Sequence, residues 1–211
     1  MYIPEHFAET DVTSLQGFIE TSPLGAFVVG GEAGLEANHV PFELDRSAGE
    51  LGTLRCHVAR ANDAWRNGNA ECLVIFQGPS AYISPNLYES KKEHGKVVPT
   101  YNYVAVHAHG RMTIHDDEKW LRGLLGRLTR RFEASQATPW TMGDAPQDYI
   151  DGLLSQIVGI EIAITRLEGK WKMSQNRPEA DRVRVVAGLS ASENQAERDV
   201  ARIVAEKSRR R

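Results

Sequence analysis

From Leu24 to Ile114 this chain reads as a run of strands, and its long helical stripes come only afterwards. That order is the strongest constraint on the fold. A doubly wound parallel sheet needs a crossover helix between successive strands, so strands and helices must alternate. Here they do not. Leu24 to Gly30 reads as a first strand, stopped by Gly30-Gly31. Leu35 to Leu44 is a second, with Leu35, Ala37, His39, Pro41 and Glu43 on one face and Asn38, Val40, Phe42 and Leu44 on the other. A polar turn at 47–50 leads to a third, Leu51 to His57, and the two suggest an antiparallel hairpin. Glu71 to Gln77 is a continuous apolar run of strand length, which predicts a buried central strand ended by Gly78-Pro79. Ala81 to Pro85 reads as a short strand after that turn, and 89–95 as a polar loop. Tyr101 to Ile114 is the longest strand candidate.

Short helices are expected after the capping groups Thr10-Asp11 and Asn62-Asp63. The clearest helix follows Asp116-Asp117, where Trp120, Leu121, Leu124, Leu125, Leu128 and Phe132 form an amphipathic stripe. Another opens at Ala145-Pro146, with Tyr149, Ile150, Leu153, Leu154 and Ile157 as its apolar face. Gly159 to Glu168 alternates as the last strand, and 169–178 reads as a basic loop. Ser190-x-x-Glu193 has the form of a capping box opening a final helix over about 190–208, with Ala196, Val200, Ile203 and Val204 inward. The fold class is therefore α+β, mainly β: an antiparallel barrel or sandwich with peripheral helices, in one domain over 1–211.

Composition excludes several functions. A net charge of −3 provides no global basic field for nucleic acid. Only Lys207-Ser-Arg-Arg-Arg211 is strongly basic, and a solvated end is its ordinary reading. Cys56 and Cys72 are far apart within apolar runs, which suits buried thiols in a reducing compartment. No apolar run approaches the roughly 20 residues needed to span a bilayer. The expectation is a soluble, cytoplasmic protein.

The sequence has no Gly-rich dinucleotide fingerprint, Walker loop, nucleophile elbow or His-Glu-x-x-His. Three polar clusters remain. Asn38-His39 lies in an apolar strand, where such side chains need partners, either backbone or ligand. His57-x-x-Arg60-x-Asn62 places an arginine between a strand end and a helix cap, a sensible anion site and equally an ordinary cap. Lys170-Trp-Lys172-x-Ser174-Gln-Asn-Arg177 packs cations and neutral hydrogen-bonding groups around an aromatic ring, suited to an aromatic phosphate ligand or to solvent. His107 and His109 share a strand face without an evident third metal ligand, so no metal site is assigned. Gly95-Lys-Val-Val-Pro-Thr100 is a basic turn feeding the longest strand.

These segments carry a resemblance. Ala37-Asn-His-Val-Pro-Phe42, His57-Val-Ala-Arg-Ala-Asn62, Phe76-Gln-Gly-Pro-x-Ala-Tyr-Ile-Ser-Pro85, Gly95-Lys-Val-Val-Pro-Thr-Tyr-Asn-Tyr-Val-Ala-Val-His107 and Ser174-Gln-Asn-Arg177 resemble, in order, the PaiB-type family of FMN-binding negative transcriptional regulators. The resemblance implies an FMN-binding split β-barrel of the pyridoxamine 5′-phosphate oxidase type, a homodimer with FMN at its interface. It implies cofactor contacts from Asn38, His39, His57, Arg60, Asn62, Lys96, Thr100, Tyr101, Asn102, Tyr103, Lys172, Ser174, Gln175, Asn176 and Arg177. Tyr101 departs from the family pattern, which has Trp there in many members. The implied function is transcriptional regulation or flavin-linked sensing; the alternative is an NAD(P)H-dependent flavin oxidoreductase, for which no catalytic group is identified. Direct DNA contact has little support in the residues, since no recognition-helix motif is evident.

Overall fold

A computed structural model describes residues 1–31 and 34–209. In chain order the elements are β1 (Ala8–Glu9), α1 (Val12–Thr21), β2 (Leu24–Gly31), β3 (Gly34–Pro41), β4 (Glu43–Asp45), β5 (Thr53–Ala59), β6 (Glu71–Ile83), α2 (Ser90–His94), β7 (Thr100–His115), α3 (Glu118–Glu133), α4 (Gln147–Leu154), β8 (Ile157–Lys172), α5 (Glu179–Ser190) and α6 (Gln195–Arg209). The strands join in the order β3-β2-β6-β7-β8-β5-β4, with β1 added on β8, and the path does not close on itself. The fold is an antiparallel sheet with helices around it; α1 precedes the main strands, and the longest helices follow β7, as the strand-first order requires.

The chain forms two compact units. One gathers Met1–Leu15, Gln77–Val106 and the residues from Glu168 onward; the other gathers Gln16–Phe76 and His107–Leu167. In the second unit, Phe27, Phe42 and Phe76 are fully buried and meet edge to face, with centroids 6.5 and 5.7 Å apart. The stretch expected as one strand, 35–44, is two. Residues of β3 pair with β2, and those of β4 pair with β5. Between them Phe42 turns into the core, its N–H bonded to Pro23 O at 2.9 Å. Serving two neighbours breaks the extended run.

Asp117 caps α3 by accepting the Trp120 N–H at 2.8 Å. The helix then buries Leu121, Leu124 and Leu128. Asp117→Ala is expected to lower stability by about 1 kcal/mol, the usual loss for such a cap, read as a shift in urea midpoint. On α4 the apolar face is narrower than expected: Ile150 and Leu154 are buried, whereas Tyr149 and Leu153 point to solvent.

The strand β6 runs through Gly78-Pro79 instead of ending there. Its ladder with β2 stops at Ile75, so Pro79 lies beyond any N–H demand from that neighbour. In the first unit, residues expected as loop are ordered. Gly169 and Lys170 extend β8 because β1 pairs with them. The segment 89–95 holds the one-turn helix α2, stopped by Gly95 at φ 65°. Its Ser90 donates both N–H (2.9 Å) and Oγ–H (2.7 Å) to the buried Asp181 carboxylate. The expected final helix is α6, and a further helix, α5, precedes it over a stretch where the sequence predicts none. Ser190 ends α5 rather than capping α6, and Asn194 takes the cap, accepting Ala196 N–H at 2.9 Å. Val200, Ala201 and Val204 face inward as the stripe predicted, except that Ala201 takes the place of Ile203 as a fully buried position. Lys207 belongs to α6 and pairs with Glu9 at 2.5 Å, with its ammonium over Trp171. Residues 210 and 211 of the basic tail lie outside the described residues.

Candidate functional site

The predicted residues fall into two sets, one in each unit. The first is built at the start of β7 and the end of β8. Strand β7 opens with Thr100, whose hydroxyl accepts a hydrogen bond from Lys172 Nζ. Two residues on, buried Asn102 donates Nδ2 to Ser174 Oγ at 2.9 Å. Lys170 is 9% exposed; its ammonium donates to Tyr2 O at 3.1 Å and lies 5.3 Å from the Tyr103 ring centre. Arg177 holds its guanidinium 4.6 Å from the centre of the Tyr88 ring.

Lys170, Lys172 and Arg177 therefore crowd one locality. Burial pushes the Lys172 ammonium below the usual lysine range; Tyr103 opposes that shift, and Lys170 and Arg177 add to it. No carboxylate is among the groups acting on Lys172. Asp181 acts together with Arg177 on Tyr88, so the Arg177 end of the cluster has a carboxylate nearby, while the two cations beside Lys172 make its end the one suited to receive an anion.

The loop after β8 is held by its own side chains. Gln175 folds back, its Oε1 accepting Met173 N–H at 2.7 Å and its Nε2 donating to Trp171 O at 2.5 Å. Asn176 and Lys96 are exposed. Tyr101 is 57% exposed and meets Tyr82, 48% exposed, edge to face at 5.8 Å.

The second set occupies the other unit. Asn62 donates Nδ2 to Asn38 Oδ1 at 2.6 Å, and Asn38 donates to Glu36 at 3.0 Å. The expected helix after Asn62 is a three-residue turn, Asp63–Trp65, with Asn62 Oδ1 already accepting Ala64 N–H at 2.9 Å. Arg60 is equally committed. It makes a bidentate pair with Asp116 at 2.9 and 2.5 Å and donates to the carbonyls of Ser155 (2.9 Å) and Ile157 (3.2 Å). Both donors read as an anion site thus have acceptors within the protein. His39 is exposed, and His57 is half-buried with Nδ1 unpartnered; burial pushes its pKa down.

Sequence reasoning left Lys170, Tyr2, Tyr82 and Tyr88 out of the site. Lys170 sat in a recognised basic segment, but its burial depends on β1 pairing with β8. Nothing local in the sequence signals that Tyr2 returns to that strand.

The comparisons with known proteins agree with this architecture. The family model described as "Putative FMN-binding domain" matches residues 1–166. An uncharacterized protein of Emericella nidulans is 35% identical over 244 aligned positions, spanning 98% of this chain and 97% of its own. The protease synthase and sporulation protein PAI 2 of Bacillus subtilis is 29% identical, spanning 98% of each chain. Among solved structures, the FAD and heme binding protein from Mycobacterium smegmatis matches with a TM-score of 0.54 at 17% identity, over 78% of this chain and 73% of that one, which shows a shared fold. With a family match over most of its length and a split-barrel sheet to carry it, this chain belongs to the PaiB-type family of FMN-binding proteins.

Proposed function

We propose that this protein holds FMN through the first unit's cation cluster and acts as a flavin-linked negative regulator of transcription. The observation that carries the cofactor placement is the geometry of the cluster: Lys172 on the Thr100 hydroxyl, Lys170 beside the Tyr103 ring and Arg177 over the Tyr88 ring, all in the first unit. FMN presents a dianionic phosphate and a flat ring. Lys172 and Arg177 would hold the phosphate beside the Thr100 hydroxyl, with Lys170 adding charge from behind Tyr103. The exposed Tyr101 and Tyr82 rings offer aromatic surface for the ring system. When bound, FMN supplies reversible electron transfer, and the protein's part is to grip and orient it.

The regulatory half of the reading is supported by a relative, 29% identical, whose name refers to protease synthase and sporulation. A homodimer belongs to the same proposal. The purified protein should show a flavin absorption spectrum, quench added FMN fluorescence, and run as a dimer in solution. Absence of quenching with FMN in excess would end the cofactor reading. Steady NAD(P)H oxidation by the FMN-loaded protein would favour the oxidoreductase alternative. A salt-sensitive shift of promoter DNA would support direct regulation, and no shift at low salt would count against DNA contact.

In the second unit, the geometry supports Arg60 as a strut joining β5 to the start of β8. Its pair with Asp116 is partly exposed, so its value is modest. Arg60→Ala should lower stability only slightly, read as a small shift in urea midpoint, while leaving FMN affinity within about twofold. A tenfold loss of FMN affinity with unchanged stability would return Arg60 to the phosphate site.

A further inference from the structure

Ser174 stands at φ 61°, the left-handed region that side-chain-bearing residues other than Asn and Asp seldom enter. It is 3% exposed, and its hydroxyl accepts the amide of Asn102, itself 1% exposed. Asn102 Oδ1 has no partner. A buried amide with one end unmet, placed against a residue in an unfavourable conformation, is a local loss of stability that calls for an explanation.

The explanation lies in what the conformation produces. Ser174 starts a tight turn, closed by Arg177 N–H donating to Ser174 O at 3.0 Å. Arg182, on α5, braces the turn by donating Nη1 to Arg177 O at 2.8 Å. The turn delivers the Arg177 guanidinium to the face of Tyr88. Lys172 lies two residues before Ser174 and is bonded to Thr100, two residues before Asn102. The two rungs, Thr100 to Lys172 and Asn102 to Ser174, thus fix one cation and the turn that carries the next.

We propose that Asn102 and Ser174 are positioning residues for phosphate recognition: Asn102 holds Ser174 left-handed, and this fixes the turn that carries Arg177 relative to Lys172. Neither residue is exposed enough to touch a ligand. The inference rests on the reading that this cluster takes the FMN phosphate, and it assigns the two residues to geometry instead of contact.

Two substitutions at one position test it. Ser174→Ala and Ser174→Gly both delete the hydroxyl that Asn102 grips, but only glycine holds a positive φ without penalty. Affinities for FMN and for riboflavin, which lacks the phosphate, are read by fluorescence quenching. Ser174→Ala should weaken FMN about tenfold, while Ser174→Gly stays within about threefold and riboflavin within about twofold for both. Equal losses for alanine and glycine, or equal losses for FMN and riboflavin, overturn the proposal. Melting curves check the fold of each variant. If Ser174→Ala does not fold, Asn102→Ala alone and combined with Ser174→Gly carries the same contrast: the single variant should lose FMN and the double variant regain it, and no recovery overturns the proposal. Wild-type protein that binds neither flavin strikes down the underlying cofactor reading, an outcome distinct from flavin binding with the wrong variant pattern.

Discussion

Lys172→Met is expected to weaken FMN binding by about 10- to 100-fold while leaving riboflavin nearly unchanged, because a charge-assisted hydrogen bond of roughly 1.5–3 kcal/mol is lost. Methionine keeps the length and apolar stem of lysine, so the packing against Thr100 is largely retained and the missing charge dominates. The pH dependence follows from the depressed Lys172 value. Below its folded-state value, Lys172 is charged in both folded and unfolded protein, and the ligand-free fold carries the full penalty of burying it. Between the folded value and the ordinary lysine value, the unfolded chain holds a proton that the folded chain has released. Stability of the ligand-free protein therefore rises with pH across that window. FMN affinity moves oppositely. It falls as Lys172 loses its proton, starting below the usual lysine range, and Lys172→Met should remove this component from a titration series. A pH profile identical in wild type and Lys172→Met would show that another group governs phosphate binding.

The second large effect concerns stability alone. Gly110 is buried on β7, and a Cβ there would lie 2.4 Å from the Ala163 carbonyl oxygen and 2.6 Å from Ile162 Cγ2. The carbonyl belongs to the strand backbone of β8 and cannot rotate away as a side-chain tip would. Gly110→Ala should cost about 3 kcal/mol, at the upper end of overpacking effects. Gly126 provides the contrast. It lies within α3 with nothing within 4 Å of its would-be Cβ. Gly126→Ala should raise stability by about 0.5–1 kcal/mol through better helix propensity. Urea midpoints at constant slope measure both. A loss under about 1 kcal/mol for Gly110→Ala would mean β7 and β8 separate more easily than their packing implies.

Much of this molecule was legible in its residues. The strands at 24–30 and 51–57, the stripe of α3 and the Asp117 cap all report local physics; they are present, with the third strand shifted to Thr53–Ala59 and Phe132 at the end of the stripe exposed. The family motifs also named Thr100, Lys172 and Arg177, which the structure gathers. Other features depend on partners distant in sequence. Whether Pro79 interrupts a strand depends on where β2 stops pairing. Gly169-Lys170 looked like loop because the strand that orders it is two residues long and lies near the start of the chain. Helix α5 escaped notice because it buries Val185 and Leu189 together with a charged residue, Asp181, held by Ser90. Arg60 looked free because its partner Asp116 is 56 residues away.

The return of β1 to β8 has a consequence for how the protein is made. Lys170 donates to the carbonyl of a residue 168 positions earlier, and Arg177 follows it in the chain. A nascent chain emerging from the ribosome carries β1 and Tyr2 unpaired until β8 is complete, and such long-range closure is slow compared with local helix formation. The anchorage of Lys170 is thus among the last contacts to form during synthesis, and the cluster proposed for the phosphate is completed only after it.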